Sequence, residues 1–215
     1  MPEDKDDDTK KSDGVRKLIT GGAEIAGGAV GGALGFLAGG PIGAVVLGAG
    51  GADDFFDEKS SGRSDAEEVA ESVLLKSQRE PEEKKIPYMG HLLSNVAFDP
   101  QISAQMAHQI IKAAEQLTYR QLCILKLAVV KQAFGLRNGD YRGHGSFSKE
   151  LYEVLYECLD LYHRAFINFG GVAFGPTDVA PGKMTVQGLG ADLFNLMRLA
   201  IIPDEDLIPI ATQLK

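Results

Sequence analysis

Residues 18–51 read LITGGAEIAGGAVGGALGFLAGGPIGAVVLGAGG, and this stretch decides the architecture predicted for the chain. It holds 13 of the 26 glycines, and the 27 residues from Ile25 to Gly51 carry no charge. On an α-helix, a glycine at every fourth position forms a smooth stripe along which two helices can approach closely. We therefore predict a glycine-zipper membrane segment whose packing or pore-lining residues are Gly27, Gly31, Gly35, Gly39 and Gly43, with Glu24 at its start.

Lipid explains this composition better than water does. In water each interior glycine costs a helix about 1 kcal/mol relative to alanine, whereas in lipid the cost of unsatisfied backbone groups enforces a helix. Pro41 after Gly39-Gly40 leaves two geometries open, a kinked single span and a helical hairpin. Glu24 lies at the membrane interface or lines a pore, or it is an acid at a helix N-terminus. The alternatives to membrane insertion are a flexible linker and a tight helical pair in a soluble oligomer.

The flanking segments divide the chain further. Residues 1–17 are charged and poor in apolar side chains, which predicts a disordered tail, and residues 52–64 form an acidic linker. The lysines and arginines of the tail place the N-terminus in the cytoplasm by the positive-inside rule. A single span would then export residues 65–215, whereas a hairpin keeps them cytoplasmic. Cys123 and Cys158, in leucine-rich surroundings typical of buried free thiols, favour the hairpin.

Residues 65–215 are predicted to form a mainly α domain. A capping box of Thr118 and Gln121 opens a helix over 119–134, with Leu122, Leu125, Val129 and Val130 turned inward. Further helices are predicted to end near 78, to span 88–98, to run from Asp99-Pro100 to 116, from Ser148 to 167 and from Thr185 to 199, and to begin at Pro203. A loop is predicted over 135–146, and short strands are predicted within 169–174 and 182–186. Helices followed by a two-stranded ribbon and another helix form a winged-helix-like layout.

Three stretches carry a resemblance to known families. Residues 183–196, KMTVQGLGADLFNL, resemble the wing and following helix that end many winged-helix domains. Residues 86–99, IPYMGHLLSNVAFD, and 114–125, AEQLTYRQLCIL, resemble bacterial abortive-infection proteins of the Abi-alpha type, over roughly 70–200. That resemblance implies an anti-phage context. The zipper is also similar in architecture to effectors that permeabilise the host membrane on a nucleotide or oligonucleotide signal.

The remaining motifs favour binding over catalysis. No phosphate-binding, zinc-protease, Cys-x-x-Cys or nucleophile-elbow motif occurs, and the four histidines are scattered, so we expect no enzyme, no metal and no cofactor. Residues 107–149 form a basic island in a chain of net charge −8, and a loop rich in arginine and glycine suits phosphate and base recognition. The predicted anionic-ligand residues are Arg120, Lys131, Arg137, Tyr141, Arg142 and His144. The alternative is a mobile loop whose charges balance acids elsewhere.

Three functions follow as hypotheses. The first is an oligomeric effector of abortive infection in the bacterial inner membrane, acting as a pore, ion channel or membrane disruptor. Its partners would be the lipid bilayer, copies of itself, and either a nucleotide or oligonucleotide ligand or a partner signalling protein that gates it through the cytoplasmic domain. The second is a soluble winged-helix DNA-binding regulator, which the acidic balance of the chain disfavours. The third is a membrane-anchored scaffold without transport activity.

Overall fold

The computed structural model describes residues 72, 79–97, 102–143 and 145–215. The predicted tail, zipper segment and linker, and with them Glu24 and the five stripe glycines, lie outside the described residues. Within the described ranges, no helix combines the length and the apolar character needed to cross a bilayer. The described part is mainly helical, with six α-helices and one two-stranded ribbon, which confirms the predicted mainly α class. The chain divides into two compact units at Gln116 and Leu117, within the range predicted as one domain.

The first unit contains helices α1 (Ile86–Ala97) and α2 (Ala104–Glu115). Lys85, only 1% exposed, comes directly before α1. Its Nζ contacts Glu80 Oε2 at 2.6 Å and donates to the carbonyl of Glu115 at 2.9 Å. A buried ammonium needs such partners, because leaving it unpaired costs several kcal/mol. This lysine therefore ties the segment before α1 to the end of α2.

Helix α2 begins later than the sequence predicted. The Asp99-Pro100 pair was expected to open it, but the first helical residue is Ala104 and the cap is Ser103, whose Oγ accepts from the amide of Met106. The extended backbone of Ser103 (φ −67°, ψ 155°) is typical of an N-cap, so α2 does not extend before Ala104, and Asp99 and Pro100 themselves lie outside the described residues.

Helix α3 (Tyr119–Phe134) is the central helix of the second unit and lies against three later helices, α4 (Lys149–His163), α5 (Gly188–Leu196) and α6 (Asp204–Gln213). Its bounds and its capping box confirm the prediction, and Gly135 (φ 60°) ends it in the left-handed conformation. Residues 121–128 are buried on every side. The prediction that Val129 turns inward is wrong, because it is 51% exposed where α3 leaves the core.

Removing this cap has a measurable cost. The Thr118 hydroxyl accepts from the amide of Gln121 at 3.1 Å, and the Gln121 side chain accepts from the amide of Thr118 at 3.1 Å. We expect Thr118→Ala to lower the free energy of unfolding by about 1 kcal/mol, measured by urea denaturation of the full chain in detergent with far-UV circular dichroism. Thr118→Ser keeps the hydroxyl and should stay close to wild type. A Thr118→Ala midpoint equal to that of wild type would contradict the cap's contribution.

Helix α4 has Ser148 as its N-cap, as predicted, but it ends at His163 and not near 167. After the helix, Ala165 takes a left-handed conformation (φ 59°), and the amide of Phe166 donates back to the carbonyl of Leu161 at 2.9 Å. This closing bond satisfies a carbonyl of the last turn and turns the chain out of the helix. The chain then enters strand β1 (Ile167–Asn168).

Strand β1 pairs antiparallel with β2 (Thr185–Val186), with Ile167 opposite Val186 and Asn168 opposite Thr185. Two predictions are wrong here. Residues 169–174 are a loop and not a strand, because positive-φ Gly170 leaves the extended conformation directly after β1. Thr185 lies in β2 and does not cap α5, which follows Gln187.

Helix α6 begins at Asp204 after Pro203, as predicted. The 7% exposed Lys126 of α3 holds this start, since its Nζ donates to the carbonyl of Ile202 and to Asp204 Oδ1, both at 2.6 Å. The hydroxyl of Tyr119, the first residue of α3, donates to Asp206 at 2.8 Å. Two side chains of α3 therefore fix the first turn of α6.

Candidate functional site

The loop between α3 and α4, residues 136–147, is here called the basic loop. It is joined to the segment between β1 and β2 by backbone hydrogen bonds. The amide of Gly182 donates to the carbonyl of Arg137 at 2.7 Å, and the amide of Tyr141 donates to the carbonyl of Thr177 at 2.8 Å. The amide of Arg137 also donates to the carbonyl of Leu214 at 2.9 Å. The described residues of the basic loop are therefore bonded to the segment between β1 and β2 and to Leu214.

Arg142 connects the two loops through its side chain. Its Nε donates to Asp178 Oδ1 at 2.6 Å and lies 3.7 Å from Asp140 Oδ2. The other oxygen of Asp178, Oδ2, accepts from the amides of Phe174 and Gly175 at 2.8 and 3.1 Å. Because the Arg142 side chain is 60% exposed, this contact lies at the surface of the unit.

These contacts lower the pKa of Asp178 below its ordinary value of 3.8. The hydrogen bond from Arg142 is the largest cause, and the bond from the Phe174 amide adds to it, since both favour the charged carboxylate. The same pairing raises the pKa of Arg142. A carboxylate with a depressed folded-state pKa contributes stability above its unfolded pKa and loses that contribution as the pH falls through the folded value.

We therefore expect Asp178→Asn to reduce the acid sensitivity of the fold. Between about pH 5 and about pH 3, wild type should lose more stability than the variant, because only wild type must protonate the paired carboxylate. Urea denaturation of the full chain in detergent at each pH gives the comparison. Asp192→Asn, which removes one carboxylate from α5, is the control and should retain the wild-type pH dependence. Parallel losses in Asp178→Asn and wild type would show that the pair contributes nothing.

Tyr141 belongs to the basic loop but turns its ring inward. It is 3% exposed, its ring meets that of Phe147 edge-on at 5.9 Å, and the guanidinium carbon of Arg137 lies 5.0 Å from the ring centroid. Burial raises the pKa of its hydroxyl, and the charge of Arg137 partly offsets that rise. A ring covered in this way offers no free face for a stacking base in the conformation described.

Two further predicted ligand residues, Arg120 and Lys131, have protein partners of their own. Arg120 forms a bidentate pair with Glu157 of α4, at 2.9 and 2.7 Å, and lies 3.9 Å from Glu153. Lys131 Nζ donates to the carbonyl of Met184, next to β2. His144 lies outside the described residues. The structure thus brings Arg137 into contact with Tyr141 and places Arg142 in the same loop. Arg120 instead pairs with α4, and Lys131 bonds to the residue before β2.

Comparisons of the chain with protein-family models, with curated proteins and with solved structures found no match. Among the described residues, no three histidine, cysteine or acidic side chains are grouped so that they could hold a metal ion. Cys123 and Cys158 are buried and free, as predicted, and burial raises the pKa of the Cys158 thiol well above its ordinary value. A thiol in this state is a poor nucleophile.

The most exposed aromatic side chain among the described residues, Phe174, was not among the predicted site residues. Residues 170–175, here called the apolar tip, form the outer part of the loop after β1, where Phe174 is 84% and Val172 65% exposed. The available signal was the pair Gly170-Gly171 before the apolar residues and Gly175-Pro176 after them, which marks a turn more strongly than a strand.

The tyrosines of α4 divide between two environments. Tyr152 and Tyr156 are 49% and 60% exposed. Tyr162 instead stacks on Phe169 with ring centroids 5.2 Å apart, and its hydroxyl donates to the carbonyl of Gly171 at 3.3 Å. Tyr162 is therefore a support of the apolar tip.

Proposed function

We propose that this chain is an oligomeric membrane effector of bacterial abortive infection. Zipper helices of several copies pack along their glycine stripes in the inner membrane and form a pore, while the cytoplasmic helical part gates it. The observation that carries the proposal is the segment 25–51, with 27 uncharged residues and with glycine at every fourth position from Gly27 to Gly43. In lipid, close backbone packing replaces the hydrophobic drive that assembles helices in water.

The contact between the two loops supports a gating role for the second unit. A phosphate pairs strongly with a guanidinium group, so an anionic nucleotide or oligonucleotide at Arg142 would compete with Asp178. Because Asp178 also holds the amides of Phe174 and Gly175, that competition would loosen the apolar tip. A ligand that binds one arrangement of these loops more tightly shifts the population toward it. A partner signalling protein with an acidic surface would act on the same contact.

We also propose that the second unit is winged-helix-like. Helices α3 and α4, the β1–β2 ribbon and α5 follow one another in the order of that layout. This order is also what favours the second candidate, a soluble DNA-binding regulator. In that case a gel shift with duplex DNA should weaken steeply with salt. The net charge of −8 and the internal partners of Arg120 and Lys131 favour the membrane effector over this candidate.

Membrane potential tests the proposed function directly. The chain is expressed in bacteria, phage infection serves as the trigger, and a voltage-sensitive dye follows the inner-membrane potential. The proposal predicts depolarisation in infected cells that carry the full chain and normal polarisation in infected cells whose chain lacks residues 18–51. Normal polarisation with the full chain, present at the same level and under the same infection, would refute a pore.

A further inference from the structure

The apolar tip combines exposure with a lack of charge. Phe174 and Val172 are 84% and 65% exposed, and no charged residue lies between Arg164 and Asp178 in the sequence. Exposing two large apolar side chains at one loop end costs free energy that burial would recover. Either a lipid surface or a second protein could cover these two side chains.

Most of the backbone amides of the tip are paired within the protein. Asn168 Oδ1 accepts from the amide of Gly170 at 2.6 Å, and the Tyr162 hydroxyl accepts from the amide of Ala173 at 3.4 Å and donates to the carbonyl of Gly171 at 3.3 Å. Asp178 accepts from the amides of Phe174 and Gly175. Polar backbone groups resist transfer into lipid unless they are paired within the protein. These pairings lower the cost of moving the loop out of water while Val172 and Phe174 stay exposed.

The shape and charge of the tip fit a bilayer surface better than a protein surface. A stable protein interface buries more than about 1,000 Å². The tip offers only two large apolar side chains, which lie between glycines, and a small apolar wedge of this size can insert into a lipid headgroup layer. Arg142, whose side chain is 60% exposed, is bonded to Asp178 at the base of the tip. When the tip inserts, this guanidinium would lie at the level of the lipid phosphates. Insertion of residues 18–51 in the same bilayer would hold the tip at high local concentration near that surface.

We propose that Val172 and Phe174 insert into the headgroup layer of the membrane that holds the zipper. This inference rests on the proposed function, because it needs that membrane to be present. The tip then acts as a second, reversible attachment, and release of Asp178 by a signal at Arg142 changes how the second unit meets the lipid. Each inserted side chain should strengthen attachment of the unit roughly tenfold.

The chain contains no tryptophan, so a single substitution reports on the tip alone. Phe174→Trp is made in the full chain and bound to phosphatidylglycerol vesicles with or without bromine on the acyl chains. The proposal predicts that tryptophan emission shifts to shorter wavelength with vesicles and is quenched most by bromines about 5–10 Å below the headgroup boundary. Tyr156→Trp, at a 60% exposed position on α4, is the matched control and should keep water-like emission without quenching.

The outcomes separate this inference from the proposed function. Pelleting with vesicles together with water-like emission at position 174 would overturn insertion of the tip and leave membrane attachment through residues 18–51 in place. A chain that stays in the supernatant would overturn both. A wavelength shift that already occurs without vesicles and that bromine does not quench would show contact with protein, such as a second copy, and would overturn lipid insertion. Far-UV circular dichroism checks that both tryptophan variants retain wild-type helix content.

Discussion

Replacing Gly190 by alanine is expected to destabilise the second unit by about 3 kcal/mol or more. A Cβ atom at this position would lie 2.2 Å from the carbonyl oxygen of Phe166 and 2.8 Å from its Cα and carbonyl carbon. That backbone has little freedom to move, because the amide of Phe166 donates to Leu161 and its carbonyl accepts from the amide of Gln187. The methyl group would therefore have to push α5 away from the end of α4.

Urea denaturation of the full chain in detergent, followed by far-UV circular dichroism, measures this loss. Gly171→Ala is the matched control, since a Cβ there meets no atom within 4 Å and its φ is not positive. We expect the control to stay within about 0.5 kcal/mol of wild type. If Gly190→Ala and Gly171→Ala unfold at the same denaturant concentration, the close approach of α5 to Phe166 does not exist in solution.

Replacing Gly35 by leucine is expected to abolish depolarisation by the chain. Gly35 is the middle residue of the five-glycine stripe, and a leucine side chain there would hold two zipper helices apart. The potential of infected cells should then match that of cells without the protein. The readout is the voltage-sensitive dye, with the amount of protein in the membrane fraction measured in parallel.

Ala33→Leu provides the control for added bulk. On an α-helix, residue 33 lies nearly opposite residue 35, so its side chain would face lipid and not the stripe. Depolarisation should survive this change. If Gly35→Leu depolarises infected cells as fully as Ala33→Leu does, close helix packing at Gly35 is not needed for the pore and the glycine-stripe account is wrong.

Local signals in the sequence predicted the helix boundaries that depend on neighbouring residues. Thr118 with Gln121, Ser148, and Pro203 before Asp204 all act within one helical turn, and the structure has helices starting at each. The Asp99-Pro100 signal failed because Ser103, only a few residues later, supplies the cap that α2 uses. Competing local signals of this kind are hard to rank from one sequence.

The contacts of the candidate site depend on residues that are distant in sequence. Arg142 pairs with Asp178 across 36 positions, and Lys131 reaches Met184 across 53. The sequence therefore predicted a basic island with exposed cations, whereas folding supplies several of them with acidic or carbonyl partners. Residues 169–174 are a loop and not the predicted strand, because Gly170 has a positive φ and Asp178 accepts from the amides of Phe174 and Gly175.

Alkaline carbonate extraction of the membrane fraction tests the central claim most directly. The account holds that residues 18–51 are surrounded by lipid, so the full chain should stay in the membrane pellet, as an integral membrane protein does. A chain that lacks residues 18–51 should move to the supernatant under the same treatment. If the full chain is released by carbonate, or is recovered without detergent as a monomer, lipid does not surround the glycine stripe and the effector proposal is wrong.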